Sequence, residues 1–489
     1  MTIPNKIRIA TVATLTIAAA LATSAPAARK GESTLPDFTK GDAIPAGASH
    51  DWTLGATGTR GWIYCDKLVT TDARQIAITK VDKGSPADGV LAPGDVILGV
   101  GGKAFSYDPR TELGKSLTTA ESEAGGGDLA ITRWRAGKTE EVVVKLPVLG
   151  SYSATAPYDC PKSKRILEQG CKALAARMAE PSYSRGHNQD PITRSLNALA
   201  LLASGNPAYL PLVKHEAQWA ADYSEDGMQT WHYGYVTMLL SEYVMASGDE
   251  SVMPGLRRLA LEAAHGQSAV GSWGHKFALP DGRLAGYGMM NSPGLPLTIS
   301  LVMARAAGVK DPALDRAIEL SARLMRFYIG KGAVPYGDHH PWIENHDDNG
   351  KCGMAAVLFN LLGEEKGAEF FSRMSTASHG PERDTGHTGN FFNILWSLPG
   401  VAQSGPNATG AWMNEFGAWY FDLARCWDGS FPHQGPPEIA GDSYAGWDAT
   451  GGYLLAYAMP LKKIYLTGKR PGVAPQLDAA AAQALILDG

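Results

Sequence analysis

The feature that most limits what this chain can fold into is a change of periodicity near Leu149. Before it, short β-rich runs are broken by glycine turns; after it, helical patterns follow one another to about Leu466. With 489 residues the chain exceeds what one hydrophobic core usually organises. The switch therefore predicts two domains, a small mixed α+β one followed by a large all-α one.

In the first part, strands are expected at 62–64, 75–81, 96–100, 129–134 and 140–146, with a helix over 109–122 that carries a proline near its start. So few strands and one helix within 55–149 make a small β-barrel-like domain with a helix at its edge. The run ITKVDKGSPADGVLAPGDVILGVGGKAF resembles the core of bacterial PDZ domains of the periplasmic protease type. GSPADG matches the tight turn into a short helix, and LAPGDVILGVGG the following strand and turn. The resemblance implies a module that adds an extended peptide as a strand to an exposed edge, with a glycine loop receiving the terminal carboxylate. Thr59, Arg60, Gly61, Trp62 and Ile63 fall where that loop and edge belong, although the usual Gly-Leu-Gly-Phe pattern is absent. Two uses follow, a receptor for a peptide or protein C-terminus, or an intramolecular spacer.

Residues 1–27 read as a secretory signal: Lys6 and Arg8 precede an apolar run over 9–21, and Ala25-Pro26-Ala27 supplies small residues for cleavage. The run is shorter than the ~20 residues a bilayer span needs, and no later segment reads as transmembrane. An exported protein, periplasmic or secreted, is expected. Residues 28–54 and 150–161 read as linkers, and 473–489 as an alanine-rich tail, a loosely docked helix or disordered. A net charge of −5 gives no footprint for nucleic acid. Of five cysteines, Cys160 and Cys171 are the most plausible pair, and no CxxC supports a zinc ribbon or redox motif. No cofactor is expected.

The second part carries twelve expected helices: 163–178, 193–203, 210–223, 232–246, 254–264, 295–307, 312–328, 353–362, 364–374, 391–398, 411–424 and 449–459. Several follow loops that combine glycine, an aromatic and a polar residue: GMQTWHYGY, GRLAGYGMMNSPG, PWIENHDDNGKCG, RDTGHTGN and SYAGWDATGG. Their spacing, roughly 40 to 60 residues, fits one helix pair per unit. Alternating outer and inner helices of this kind close into an α/α toroid, expected over 162–472. QSAVGSW matches Q-x3-G-x-W, so the region resembles the terpenoid-cyclase/prenyltransferase type of toroid, where that motif stabilises helix ends. Together, the two parts resemble a family of exported bacterial proteins, a PDZ domain followed by a helical domain of no established function.

In such a ring the inner helices share a direction, so their N-terminal loops gather at one mouth. Helix N-termini favour anionic groups, glycine permits close backbone approach, and Trp and Tyr suit stacking on sugar rings. The densest loop, GDHHPWIENHDDNG, holds Asp338, His339, His340, Glu344, His346, Asp347 and Asp348 beside Trp342. Adjacent carboxylates raise one another's pKa, which places a proton donor beside an acceptor near neutral pH. Asp347 and Asp348 are thus candidates for acid/base work, assisted by His340 and His387; capping of the next helix is the competing role. A hydrolase pair would set Asp348 against Asp448 across a bound sugar. Trp342 and Trp447 are candidate platforms, with His232, His275 and Asn390 as further binding groups. No fixed-spacing motif supports a metal site at His339, His340, His346 and Asp348, and no nucleophile elbow, P-loop or dinucleotide fingerprint occurs. Asp422, Arg425, Trp427 and Asp428 read as an ion-paired structural corner. The leading expectation is a hydrolase or lyase on a carbohydrate-like polymer; the alternative is a non-catalytic peptide-binding adaptor.

Overall fold

The structure, a computed structural model, describes residues 35–46, 48, 51–66, 69–183, 191–338, 340–341, 349–378, 383, 390–434 and 446–488. The signal expected over 1–27 lies outside them.

The first part forms one antiparallel sheet of β1 (Trp52–Thr53), β2 (Thr59–Ile63), β3 (Ile76–Val81), β4 (Val96–Val100), β5 (Lys103–Ala104), β6 (Asp128–Arg135) and β7 (Lys138–Lys145). Its order is β1-β2-β3-β4-β6-β7, with β5 beside β4. Between β5 and β6 runs α1 (Pro109–Ala120), started by Asp108, whose carboxylate accepts the Arg110 N–H while Pro109 fills the first turn. Leu113, Leu117 and Ala120 form its buried stripe.

The linker expected over 28–54 is partly folded. Phe38 packs edge-on against Trp62 in a small core with Ala77 and Val96. Residues 52–53 make β1, paired antiparallel with β2 at Trp52–Gly61 and Thr53–Arg60.

Among its described residues the second part is built of helices, with isolated β-bridges at Met290–Gly337 and Pro432–Asp448 and no strand. In chain order it contains α2 (Pro161–Met178), α3 (Pro191–Ala203), α4 (Leu210–Ala221), α5 (Gln229–Ser247), α6 (Met253–His265), α7 (Asn291–Ala306) and α8 (Pro312–Arg326). There follow α9 (Asn349–Leu362), α10 (Glu365–Ala377), α11 (Asn390–Val401), α12 (Pro406–Trp412), α13 (Ala418–Ala424), α14 (Thr450–Ala458) and α15 (Ala479–Asp488). Helices α3, α5, α7, α9, α11 and α14 touch in that order, and α14 returns to α3. These six are buried on nearly every face, whereas α4, α6, α8 and α10 bury a single stripe and lie outside.

Glycine sets the close approach of the inner helices. A Cβ on Gly353 of α9 would stand 2.2 Å from the Trp396 carbonyl of α11, and one on Gly400 would stand 2.2 Å from Gly353 itself. Gly350, second in α9, meets Asn393, fourth in α11; Gly451, second in α14, meets Leu196 and Asn197 in the first half of α3. Contacts between like-numbered turns mean that these neighbours run parallel, so their N-termini share one end.

The Q-x3-G-x-W segment ties neighbouring helices together. The Gln267 amide donates to the Ala317 carbonyl of α8 at 2.9 Å, and the buried Trp273 indole donates to the Ala263 carbonyl in the last turn of α6 at 2.9 Å. The tail is docked: the Asn407 amide donates to the Leu477 carbonyl at 2.9 Å, and Ala482 and Ile486 are buried where α15 meets α10 and α12.

Residues 36–489 form one unit, and sheet and helices share one hydrophobic core. Helix α1 lies against α13, where a Cβ on Gly114 would stand 2.6 Å from the Trp419 carbonyl. A charge-balanced quartet is buried at this junction. Lys162 meets Asp422 at 2.7 Å and Glu121 at 3.0 Å; Arg425 meets Glu121 at 2.5 Å and Asp422 at 3.6 Å. Thr118 and Tyr152 also donate to Asp422, at 2.8 and 3.0 Å. The segment expected as a linker over 150–161 is therefore part of the junction. Burial opposes ionisation of Asp422, but Lys162 and Arg425 outweigh it and hold the carboxyl below its ordinary range.

Cys160 and Cys171 are not bridged to each other. Cys160 precedes α2 and accepts the Ser163 N–H through its sulfur, while Cys171 lies inside that helix. Eleven helical residues separate them by about 16 Å, far beyond the ~7 Å a disulfide allows.

Candidate functional site

The N-terminal end of the six inner helices is lined by aromatic side chains from successive loops. Trp231, in the first turn of α5, stacks on His275 at 6.3 Å, and its indole N–H donates to His275 Nδ1 at 3.0 Å. That bond leaves the imidazole proton on Nε2, and burial pushes His275 below its ordinary pKa, so the ring is neutral at pH 7. Tyr287 meets His275 and then Tyr336, each edge-on, at 6.3 and 5.9 Å. Tyr287 is 63% exposed, an open aromatic face immediately before α7. On the other side, the half-buried Trp447 packs edge-on against Phe391 at 5.1 Å.

His232 lies behind this rim. Its Nδ1 is 3.0 Å from the Tyr223 hydroxyl and 3.2 Å from Glu225, so it is held as part of a small polar group. His340 is exposed. Tyr223, Glu225 and Tyr336 lie outside the loops singled out in the sequence. Trp231 and Tyr287 fall inside two of them, GMQTWHYGY and GRLAGYGMMNSPG, without being picked out there as binding groups.

Two expected site residues prove structural. Asp448 caps α14: Oδ1 accepts the Thr450 N–H at 3.1 Å, and Oδ2 is taken by Arg177 at 3.0 Å and Asn197 at 3.3 Å. With both oxygens engaged it is a helix cap in an ion pair, not a free acid or base. Asn390 is buried and donates to the Tyr420 hydroxyl at 2.8 Å, beside a cavity of about 10 Å³ that holds a single water at most. Asp347, Asp348, Trp342, His387, His339, His346 and Glu344 lie outside the described residues.

The middle of the ring is filled. Helices α5 and α11 stand opposite each other in the six-helix order, yet the Trp396 indole of α11 donates to the Tyr235 hydroxyl of α5 at 2.8 Å. Phe392 packs against both Trp231 and Tyr235, at 5.2 and 5.8 Å. Any ligand at this end therefore rests on an aromatic floor and does not enter a channel.

The strand edge expected to receive a peptide is also occupied. Thr59, Arg60, Gly61, Trp62 and Ile63 form β2, which pairs with β3 on one side and β1 on the other. Trp52 of β1 is buried beneath the Arg110 guanidinium of α1 at 4.7 Å. Arg60 holds Asp51 through its Nε at 2.5 Å. The outward backbone groups of Thr53 are satisfied by Gln434, whose Oε1 accepts the N–H at 3.0 Å and whose Nε2 donates to the carbonyl at 3.2 Å. Over Thr59 to Gly61 the chain's own β1 takes the place of an added strand, which corrects the expectation of a free edge there.

These features define a class: an antiparallel sheet module fused to a ring of inner and outer helices, with an aromatic end formed by the inner helix N-termini. The family model described as a domain of unknown function (DUF6288) matches residues 163–468, which is more than half of the chain and lies within the helical part. The chain belongs to that family. No curated protein matches it.

Proposed function

We propose that this is an exported protein in which a PDZ-type module braces an α/α toroid, and that the toroid mouth binds a carbohydrate-like polymer. The reaction class is hydrolysis or elimination, with Asp347 and Asp348 as acid/base residues and His340 and His387 assisting. The observation that carries the reading is the run Trp231–His275–Tyr287–Tyr336. It sets an exposed tyrosine face on a supported aromatic base at one end of six parallel helices. Flat apolar faces with polar tips suit sugar rings, which present C–H groups on one side and hydroxyls around the edge. The test is a glycan-binding and turnover screen of the purified chain with Tyr287→Ala, Asp347→Asn and Asp348→Asn. Loss of binding in the first and of turnover in the other two is expected; binding and turnover unchanged in all three would overturn the site.

A second reading, a non-catalytic scaffold, is favoured by the filled ring centre at Trp231, Tyr235, Phe392 and Trp396. It predicts glycan binding that Tyr287→Ala weakens, with no product formed by the wild type. The paired edge of β2 opposes the adaptor form in which a peptide tail docks on the sheet module, and supports its use as an intramolecular spacer.

A further inference from the structure

A cleft of about 740 Å³ lies where the sheet part meets the helices. One wall is α1 and the residues just after it, where Lys115, Thr118, Thr119 and Ser122 follow at helical spacing along one face. The facing wall is a second stripe, Asn407, Ala411, Asn414 and Ala418, carried from α12 to α13. A π-helical turn over Met413–Gly417 joins those two helices and sets Asn414 on the cleft side; such turns recur at functional sites. Residues 151–154 and α15 complete the walls, α15 through Ala479 and Gln483.

The chemistry of the lining is specific. It offers hydroxyls and carboxamides, one lysine and no carboxylate, with Tyr152 and Trp419 as aromatic surface. It therefore selects hydrogen-bonding capacity over charge. A peptide would need a free strand edge or apolar side-chain pockets, and this lining supplies neither: its apolar members are alanines, Met413 and the aromatics. The volume falls within the roughly 300–1,000 Å³ of small-molecule sites, which favour junctions between domains. Thr118 and Tyr152 reach the cleft and also bond Asp422, so an occupant would touch groups that tie the two parts together.

We infer that this cleft is a binding site for a short neutral oligosaccharide, separate from the ring mouth and independent of the reading given for it. The experiment is calorimetric titration of the full chain carrying Tyr287→Ala, which disables the mouth, with cellotetraose, maltotetraose and N-acetylchitotetraose. At least one is expected to bind. Adding Asn414→Ala and Gln483→Ala, both exposed side chains, should weaken that binding about tenfold, as expected for two lost hydrogen bonds. Ala479→Trp, which fills the cleft from an exposed position on α15, should abolish it. No binding of any of the three sugars, or binding that neither set of changes alters, would overturn the inference. If mouth binding fails while cleft binding persists, only the mouth reading falls.

Discussion

Replacing Lys162 by methionine is the sharpest test of how the two parts are joined. The ammonium is fully buried and lies 2.7 Å from Asp422 and 3.0 Å from Glu121. At an effective dielectric of about 20, a unit pair at such distances gains roughly 6 kcal/mol before desolvation. Methionine keeps most of the stem but leaves Glu121 and Asp422 facing Arg425 alone, a net buried negative charge. Removing one partner of a buried ionic set costs about 3–5 kcal/mol, which exceeds the packing change. The pH dependence gives a second handle. The folded-state pKa of Asp422 lies below its ordinary 3.8, so the stability it contributes is present above that value and lost as pH falls through the folded one. In the variant the uncompensated carboxylate can be relieved by taking up a proton, so the deficit should be largest near neutral pH and shrink toward pH ~4. Urea unfolding of both chains across that range measures it. Lys162→Met/Asp422→Asn, which restores neutrality and retains Arg425 with Glu121, should recover part of the loss. A deficit below about 1 kcal/mol at neutral pH, or one that does not vary with pH, would refute the electrostatic account.

Two further outcomes follow from single side chains. Glu242, buried in α5, accepts the Tyr465 and Leu466 N–H groups at 3.0 and 2.9 Å, and burial raises its pKa to about 7. A carboxyl raised on folding binds protons more tightly in the native state, so wild-type stability should fall between pH ~4.5 and ~7, by up to about 3 kcal/mol. Glu242→Gln should flatten that slope in denaturant titrations over the same window. Gln434→Ala strips both partners from the outer edge of Thr53, which should destabilise the chain by about 1–3 kcal/mol and speed exchange of the Thr53 amide. Unchanged exchange there would show that the clamp on β1 is not needed.

How much of this was legible in the sequence depends on whether a signal is local. All twelve expected helices exist, because each carries its own apolar period and most carry a terminal residue such as Pro161, Asp311 or Gly248. The longer strands are found for the same reason. β1 was missed because two residues cannot display a period of 2. Its existence rests on β2, Arg110 and a glutamine 381 positions away. The same non-locality hid the quartet: the Asp422–Arg425 corner was readable as ion-paired, but nothing in the sequence pointed to Lys162 and Glu121 as its other half.

Site residues obey the same division, with a consequence for how polar loops are read. An acidic residue immediately before a buried helix fits catalysis and capping equally well in sequence, since a cap needs only the helix N–H groups beside it and a catalytic acid only access to a ligand at the same end. What separates them is whether a second partner saturates the carboxylate. Asp448 has Arg177, which comes from another helix, and is thereby committed to structure. Asp347 and Asp348 stand in the corresponding place before α9, so the role proposed for them requires that at least one oxygen of the pair remain open to a ligand. In that case Asp347→Asn and Asp348→Asn would suppress turnover while leaving stability within about 0.5 kcal/mol. If both were caps like Asp448, these changes would leave turnover intact, because Asn caps a helix as well as Asp, whereas Asp347→Ala and Asp348→Ala would each lower stability by about 1 kcal/mol. Turnover of the two Asn variants, beside thermal unfolding of the two Ala variants, therefore decides between the roles.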